Sequence, residues 1–260
     1  MEARERPLGQ EVIRENVDSW QNLMFLYKSA MREVCTKLEI LKDEFQNTHR
    51  YNPIEYIESR LKSLESIENK MLRHGLEITK ENMVREITDI AGVRVVCSFN
   101  SDIYKLEEMI REMGLFEILR YKDYIASPKP SGYRSLHLLV KVPVYTTEGT
   151  IGVKAEIQIR TIAMDFWASL EHKIQYKFEG DVPAKISKEL RNCASIVSML
   201  DEKMLSLNDQ VMSMHPEKRV KGEYFKEYSE KDDLEHADGL KLKAHNSSKN
   251  KVGKKQNKGA

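Results

Sequence analysis

The hydrophobic positions of this chain follow a helical period in some segments and a strand period in others. From Val12 to about Phe45, apolar residues recur at helical spacing, which predicts a long amphipathic helix. Its apolar face can cover its own domain or contact another subunit, and the pattern does not choose between them. A second long helix is predicted from Val182-Pro183 to about Met214. Two long helices therefore flank the central part of the chain.

The central segments alternate between strand and helix patterns. Ile54–Lys62 fits a helix or a strand, and we favour a strand because Ser63 is a good N-cap for a following helix that ends at Gly75. Further strands are predicted at residues 94–99, 116–125, 133–145 and 153–160, with a hairpin turn at Glu148-Gly149. Further helices are predicted at residues 79–86, 101–113 and 162–177, with Ser101 and Thr161 as N-caps. The fold class is therefore α+β, with a mixed sheet of about five strands flanked by helices.

Composition narrows the class of protein. Of the 260 residues, 40% are hydrophobic and 32% are charged, as in soluble globular proteins. The net charge of +1 argues against a strongly basic nucleic-acid-binding protein. The three cysteines form no CxxC pair, which argues against a disulfide framework or a zinc ribbon. No window approaches the roughly 18 apolar residues that span a bilayer, so we expect a cytoplasmic protein without membrane contact.

The composition changes after Pro216. From Gly239 onward the chain contains no acidic residue but seven lysines. Such a segment cannot bury enough apolar surface to offset the entropy of ordering it. We therefore predict one domain over residues 1–215 and a disordered, lysine-rich tail over residues 216–260. The tail is either a solubilising appendage or a segment that contacts RNA weakly through counterion release.

The residues between Tyr121 and Arg160 carry the most informative chemistry. The run from Tyr124 to His137 places a lysine between two prolines and a glycine beside a tyrosine. Alternate positions on the two predicted strands are Tyr133, Ser135 and His137 on one, and Glu156, Gln158 and Arg160 on the other. A lysine, an aromatic ring beside a glycine and a carboxylate on a rigid strand are typical of a purine nucleotide site.

Two further segments carry charges in suggestive places. Arg60 and Lys62 lie at the end of a predicted strand, and Ser66 and Lys70 lie in or after the first turn of the next helix, whose N-terminus favours an anion. Taken alone, these would be ordinary surface charges.

A carboxylate and an arginine frame the next strand. Asp89 precedes a glycine turn, and Arg94 is the one charged residue of the apolar strand that follows. The two form either a structural ion pair with each other or part of a functional site. Asp89 and Glu156, on different strands, can hold Mg²⁺ that is shared with substrate phosphates.

Several ordered motifs resemble one family, whereas Walker A, GxGxxG and HExxH patterns are absent from the sequence. The motifs are Asp89-Ile-Ala-Gly-Val-Arg94, Lys129-Pro-Ser-Gly-Tyr-Arg-Ser-Leu-His137, Glu156-Ile-Gln-Ile-Arg-Thr161 and Ala163-Met-Asp-Phe-Trp-Ala-Ser-Leu-Glu-His172. They resemble the synthetase domain of the RelA/SpoT-type (p)ppGpp synthetases. The resemblance runs from about Trp20 to about Met204, and without a recognisable hydrolase domain it points to the small alarmone synthetases, the single-domain branch.

The resemblance implies a GTP pyrophosphokinase. Such an enzyme transfers the β,γ-pyrophosphoryl group of ATP to the 3′-hydroxyl of GDP or GTP, making ppGpp or pppGpp and AMP for the stringent response. It implies an ATP site, here called the donor half, made of Arg60, Lys62, Ser66, Lys70, Asp89 and Arg94. Its two arginines would sandwich adenine, its lysines and Ser66 would bind the phosphates, and Asp89 would bind Mg²⁺.

The resemblance also implies a guanosine site, here called the acceptor half, made of Lys122, Lys129, Tyr133, His137 and Gln158. Tyr133 would stack on guanine, while Glu156 would share the metal or accept the 3′-hydroxyl proton. The family further implies a homotetramer with contacts through the long helices. The alternative is a non-catalytic protein that keeps a nucleotidyltransferase-like fold and acts through RNA or ribosome contact.

Overall fold

The order of helices and strands along the chain is the one that the sequence predicted. The structure, a computed structural model, describes residues 20–49, 51–176 and 182–214. Its elements are α1 (Trp20–Thr48), β1 (Ile54–Leu61), α2 (Leu64–Arg73), α3 (Lys80–Glu86), β2 (Ala91–Cys97), α4 (Asn100–Glu112), β3 (Glu117–Asp123), β4 (Leu136–Thr146), β5 (Gly149–Thr161), α5 (Ile162–Tyr176) and α6 (Ala184–Met214). The predicted tail, residues 216–260, lies outside the described residues, so the domain boundary stays a prediction.

One five-stranded mixed sheet organises the domain, with strand order β1-β2-β5-β4-β3. Strands β2 and β5 are parallel, and the other neighbouring pairs are antiparallel. Two rows of paired residues cross all five strands, Glu58-Arg94-Gln158-His137-Lys122 and Arg60-Gly92-Glu156-Leu139-Arg120. Paired residues share a face, as do residues two apart along a strand, so both rows lie on one polar face of the sheet.

The opposite face of the sheet is apolar and forms the core. Its strand residues are buried, and α1 packs against β1, β2, β4 and β5 with a buried stripe that includes Leu26, Ala30, Val34 and Leu38. Each fully buried aliphatic side chain of this kind stabilises the fold by about 1.5–3 kcal/mol. The apolar face of α1 therefore covers its own domain, the first of the two roles that its pattern allowed.

Several predicted element starts were wrong, each for a local reason. Strand β5 begins at Gly149 and not at residue 153, because it pairs with β4 as far as Thr146. Helix α4 begins at Asn100, and its N-cap is Phe99, not Ser101, because the carboxylate of Asp102 accepts a hydrogen bond from the Phe99 N–H at 3.2 Å. Strand β2 begins at Ala91, since pairing with β5 extends it through Gly92.

Strand β4 begins at Leu136, so Tyr133 and Ser135 precede it. A tight turn holds them, in which the Gly132 N–H donates to the carbonyl of Lys129 at 2.8 Å. Other expectations were met. Ser63 accepts a hydrogen bond from the N–H of Ser66, and β1 is a strand. Within the described ranges, no helix combines the length and apolar character that crossing a membrane requires.

Candidate active site

An open cleft of about 350 Å³ lies over the polar face of the sheet. Most of the predicted site residues line it, namely Lys70, Asp89, Lys122, Lys129, Tyr133, His137, Glu156 and Gln158. Its other lining residues, which the sequence did not single out, are Thr88, Arg120, Tyr124 and Leu139. Four predicted residues lie outside this lining: Arg60 on β1, Lys62 just after β1, Ser66 on α2 and Arg94 on β2. The cleft thus brings together residues from both the donor half and the acceptor half.

Asp89 is held by two lysines. The Nζ of Lys62 lies 2.5 Å from one carboxylate oxygen and the Nζ of Lys70 lies 2.9 Å from the other. Burial raises the pKa of Asp89, but the hydrogen bonds and charges of the two lysines outweigh burial and lower the pKa below its ordinary value. Asp89 is therefore ionised. The alternative of an ion pair between Asp89 and Arg94 was wrong.

Arg94 instead shares two other carboxylates. Its Nη1 lies 3.1 Å from Glu58, its cross-strand partner, and 3.2 Å from Oδ1 of Asp165. Asp165 lies in the first turn of α5, where the helix dipole favours a negative charge. The Tyr56 hydroxyl donates to its other oxygen at 2.9 Å. Burial, then the bond to Asp165, raises the pKa of Tyr56 to about 12.

The remaining residues of the donor half are Ser66 and Arg60. The hydroxyl of Ser66 hydrogen-bonds the Ser63 hydroxyl at 2.8 Å, at the N-terminus of α2. Arg60 is exposed on β1 and pairs with Gly92, which in turn pairs with Glu156. Because glycine has no side chain, no side chain lies between Arg60 and Glu156 in this row of the sheet.

Glu156 lies at the centre of a hydrogen-bonded group. His137 Nδ1 lies 3.1 Å from one carboxylate oxygen, and the Gln158 amide donates to the other at 2.6 Å. Burial raises the pKa of Glu156, but the bond and charge of His137 and the bond from Gln158 outweigh burial and lower it. Glu156 is thus ionised and able to accept a proton or to bind a cation.

Buried Arg160 fixes the direction of these hydrogen bonds. Its guanidinium donates to the Tyr133 hydroxyl and to Gln158 Oε1, both at 2.7 Å, and to Asp165 at 3.1 Å. Since a guanidinium only donates, the Tyr133 hydroxyl accepts from Arg160, and its own proton can be donated to His137 Nε2, which lies 2.8 Å away. In this arrangement the Nδ1–H of His137 donates to Glu156.

Comparison with known proteins identifies the family. The family model described as "Region found in RelA / SpoT proteins" matches residues 59–181. The GTP pyrophosphokinase YwaC of Bacillus subtilis is 51% identical over 195 residues, which cover 75% of this chain and 93% of that protein. The chain belongs to the small alarmone synthetases of the RelA/SpoT family. The family expected from the motifs is thereby confirmed.

Solved structures of such synthetases share this fold. The small alarmone synthetase 1 of Bacillus subtilis bound to its product pppGpp has a TM-score of 0.69 at 36% identity, covering 74% of this chain and 97% of that chain. The same protein bound to AMPCPP has a TM-score of 0.63 at 31% identity, covering 75% and 99%. The α+β class with a five-stranded mixed sheet is confirmed for this synthetase.

Residues 124–135 form the loop between β3 and β4 that carries Tyr133. Tyr133 is half-buried and packs against a small apolar cluster of Trp167, Ala168 and Ala194. The Nζ of Lys129 lies 4.7 Å from the centroid of the Tyr133 ring and 4.7 Å from that of Tyr124. A base that stacks on Tyr133 must therefore share the ring with the ammonium group of Lys129.

Gly132 allows this loop to approach α6. Its φ is +93°, and a Cβ atom there would lie 2.6 Å from the Cβ of Ala194. No residue with a side chain fits this position without a shift of the loop or of α6. The glycine beside the tyrosine was visible in the sequence, but its contact with the last helix was not.

The synthetase also uses residues that sequence patterns could not assign. Arg160 was placed on the polar face without a role, while Asp165 and Arg120 were not singled out. Asp165 belongs to a matched motif, but only the fold shows that it contacts both Arg94 and Arg160. Arg120 follows from strand register, because it lies in one row with Glu156.

Proposed function

We propose that this cleft transfers the β,γ-pyrophosphoryl group of ATP to the 3′-hydroxyl of GDP or GTP. One observation carries the proposal. Asp89 and Glu156, both ionised, line one cleft, with lysines beside the first and an aromatic hydrogen-bonded group beside the second. The family relationship to GTP pyrophosphokinases supports the same reaction. The complexes of a related synthetase with pppGpp and AMPCPP are consistent with guanine and adenine nucleotides as ligands.

The donor half binds ATP. Arg94 is oriented by Glu58 and Asp165, so its planar guanidinium is available to stack on adenine together with exposed Arg60. Lys62 and Lys70 supply two ammonium groups for the triphosphate, next to the N-terminus of α2, where Ser66 lies.

The acceptor half binds the guanosine nucleotide. Tyr133 stacks on the base, and its hydroxyl is already fixed by Arg160 and His137. Lys122 and Lys129, together with Arg120, form an exposed basic rim that suits the 5′-phosphates. His137 and Gln158 orient Glu156.

Glu156 acts on the 3′-hydroxyl. Its carboxylate accepts the hydroxyl proton as the 3′-oxygen attacks the β-phosphorus of ATP. The new bond joins the 3′-oxygen to the β-phosphorus, the bond from the β-phosphorus to the oxygen bridging to the α-phosphate breaks, and AMP leaves with that oxygen. His137 and Gln158 keep both carboxylate oxygens in place while the proton is taken up.

The donor atoms of the cleft fit Mg²⁺. Asp89 and Glu156 offer carboxylate oxygens, and both line the same cleft. Within the described part of the chain, no group of three or more histidine, cysteine, aspartate or glutamate side chains could hold a metal by itself. Phosphate oxygens would therefore complete the ligand set. When bound, Mg²⁺ would neutralise charge on the transferred group.

We further propose a homotetramer assembled through the last two helices. Large apolar side chains are exposed along them, namely Ile162, Phe166, Leu170 and Ile174 on α5, and Ile196, Met199, Leu200, Met204, Leu207, Val211 and Met214 on α6. Exposed large apolar side chains that follow one another at helical spacing are typical of a protein–protein contact surface. Light scattering should give four chains per particle, and a monomer would contradict the assembly.

Two expectations stay predictions. Weak RNA contact by the tail is tested by truncating the chain at Pro216 and comparing RNA affinity at several salt concentrations. The cytoplasmic location expected from the sequence also stays a prediction.

Isotope transfer tests the proposed reaction. The protein is incubated with Mg²⁺, GDP and ATP that carries the label in either the γ- or the α-phosphate. The γ-label should appear in a guanosine tetraphosphate, while the α-label should appear only in AMP. Release of the γ-label as inorganic phosphate, without a labelled guanosine product, would contradict the proposal.

A further inference from the structure

Each oxygen of Asp89 faces its own ammonium group. Lys62 contacts Oδ2 at 2.5 Å and Lys70 contacts Oδ1 at 2.9 Å, and the three side chains are 20%, 25% and 26% exposed for Lys62, Lys70 and Asp89. The lysines come from different elements, since Lys62 follows β1 and Lys70 belongs to α2. One carboxylate therefore joins two separate parts of the donor half.

The same three side chains have other partners in the proposed reaction. The two lysines would bind the triphosphate, and Asp89 would bind the cation. In the structure the three side chains contact one another instead, so the carboxylate of Asp89 accepts the hydrogen bonds that the phosphates would accept from the lysines. Residues that must each bind a different part of the substrate complex are thus engaged with one another.

Charge repulsion opposes a cation that arrives alone. Each ammonium group repels the ion, and the repulsion is twice as large for a divalent ion as for a monovalent one. Glu156 is the second carboxylate of the cleft, and both of its oxygens already accept hydrogen bonds. The described residues offer no cluster of three metal-binding side chains that could offset the repulsion.

We infer that Lys62 and Lys70 prevent Asp89 from binding a divalent cation until a nucleoside triphosphate is present. Phosphate oxygens then accept the hydrogen bonds of both ammonium groups, so the two carboxylate oxygens of Asp89 become available to the cation. The cation and the triphosphate therefore bind together, and neither lysine is only a phosphate ligand. This inference rests on the proposed function, which assigns ATP to the donor half.

Manganese titration of the nucleotide-free protein tests the inference. Mn²⁺ replaces Mg²⁺ because electron paramagnetic resonance counts the free ion directly. The full-length wild type should bind no Mn²⁺ at the cleft over the micromolar range. The double variant Lys62→Gln/Lys70→Gln should gain one Mn²⁺ per chain, with an affinity at least tenfold above that of the wild type. Adding Asp89→Asn to the double variant should remove the gained site.

Matched variants separate this effect from a general change of charge. Lys141 pairs with Glu117 at 3.3 Å outside the cleft, so Lys141→Gln removes a paired lysine and should leave Mn²⁺ binding as in the wild type. Lys70→Gln alone should give an intermediate gain, and it serves if the double variant does not fold. Thermal unfolding identifies the folded variants.

Two results would overturn the inference. One is a wild type that binds one Mn²⁺ per chain without nucleotide as tightly as the double variant does. The other is folded lysine variants that gain no site. Both are independent of turnover, since the titration contains no substrate. Failure of the proposed function would appear elsewhere, as the absence of a labelled guanosine product from the wild type.

Discussion

The donor half and the acceptor half of the cleft are held in place by different kinds of contact. In the donor half, charged side chains pair with one another, as Lys62 and Lys70 do with Asp89. In the acceptor half, buried Arg160 donates a hydrogen bond to the Tyr133 hydroxyl, which also hydrogen-bonds His137. The donor half must therefore exchange partners when ATP binds, whereas the acceptor half already has its working orientation.

The largest effect on activity is expected from Asp89→Asn, which removes contacts of the donor half only. The variant leaves the two lysines without a carboxylate partner and removes one cation ligand. We expect kcat to fall by at least about 10²-fold, as for the loss of a preorganised electrostatic contact. GDP affinity, measured by calorimetry, should stay near that of the wild type. Retained synthesis would contradict the role of Asp89, and a large loss of GDP affinity would contradict the separation of the halves.

Tyr133→Ala should break the acceptor half alone. Loss of stacking weakens guanosine-nucleotide binding by about 1–3 kcal/mol, while AMPCPP binding should not change. The ring also packs against Trp167 and Ala194, so thermal unfolding must accompany the calorimetry. Tyr133→Phe is the matched control, because it keeps the ring and removes the hydroxyl. Near-normal GDP affinity in a folded Tyr133→Ala protein would contradict the stacking role.

Asp165→Asn should affect both halves, because Asp165 contacts Arg94 on the donor side and Arg160 on the acceptor side. Neither contact is with a nucleotide, so the expected loss of binding free energy is smaller, about 0.5–2 kcal/mol for each nucleotide. Calorimetry with AMPCPP and with GDP measures the two losses separately. Tyr56→Phe is the control, since it removes one hydrogen bond to Asp165 without a change of charge. A loss confined to one nucleotide would show that the halves are not joined here.

The smallest effect concerns stability against pH. The pKa of Asp89 is lowered, since the lysines outweigh the burial that raises it. Such a carboxylate stabilises the fold above its unfolded pKa of about 4, and this contribution is lost as the pH falls through the lower folded pKa. The difference in Tm between wild type and Asp89→Asn should therefore shrink in acid below about pH 4. A difference that does not vary with pH would contradict the ion pairs.

Much of the sheet and of the cleft followed from the sequence because strand alternation is local. Glu156 and Gln158 lie two residues apart on a strand, so their common face could be predicted before any partner was known. The motif positions Lys129, Tyr133 and His137 were likewise expected near one another, and all three line the cleft. Strand alternation was sufficient for the first pair, whereas the second set rested on the resemblance of its motif to the family.

Contacts between distant segments could not be predicted in this way. The sequence offered Arg94 as the partner of Asp89, but the fold places Lys62 and Lys70 there and moves Arg94 to Glu58 and Asp165. Pairing of this kind depends on strand order and register, which a single sequence does not fix. The burial of Tyr133 depends in the same way on α6, whose residues are more than fifty positions away.

A single-turnover comparison of wild type with Glu156→Gln tests most directly whether Glu156 takes up the proton of the 3′-hydroxyl. Both proteins are loaded with Mg²⁺, GDP and γ-labelled ATP, and the labelled guanosine product is followed over time. The amide keeps the shape of the side chain but cannot take up the 3′-hydroxyl proton. We expect a labelled product from wild type and a rate about 10²–10⁴-fold lower from the variant, with both nucleotides still bound. Equal rates in the two proteins would contradict it.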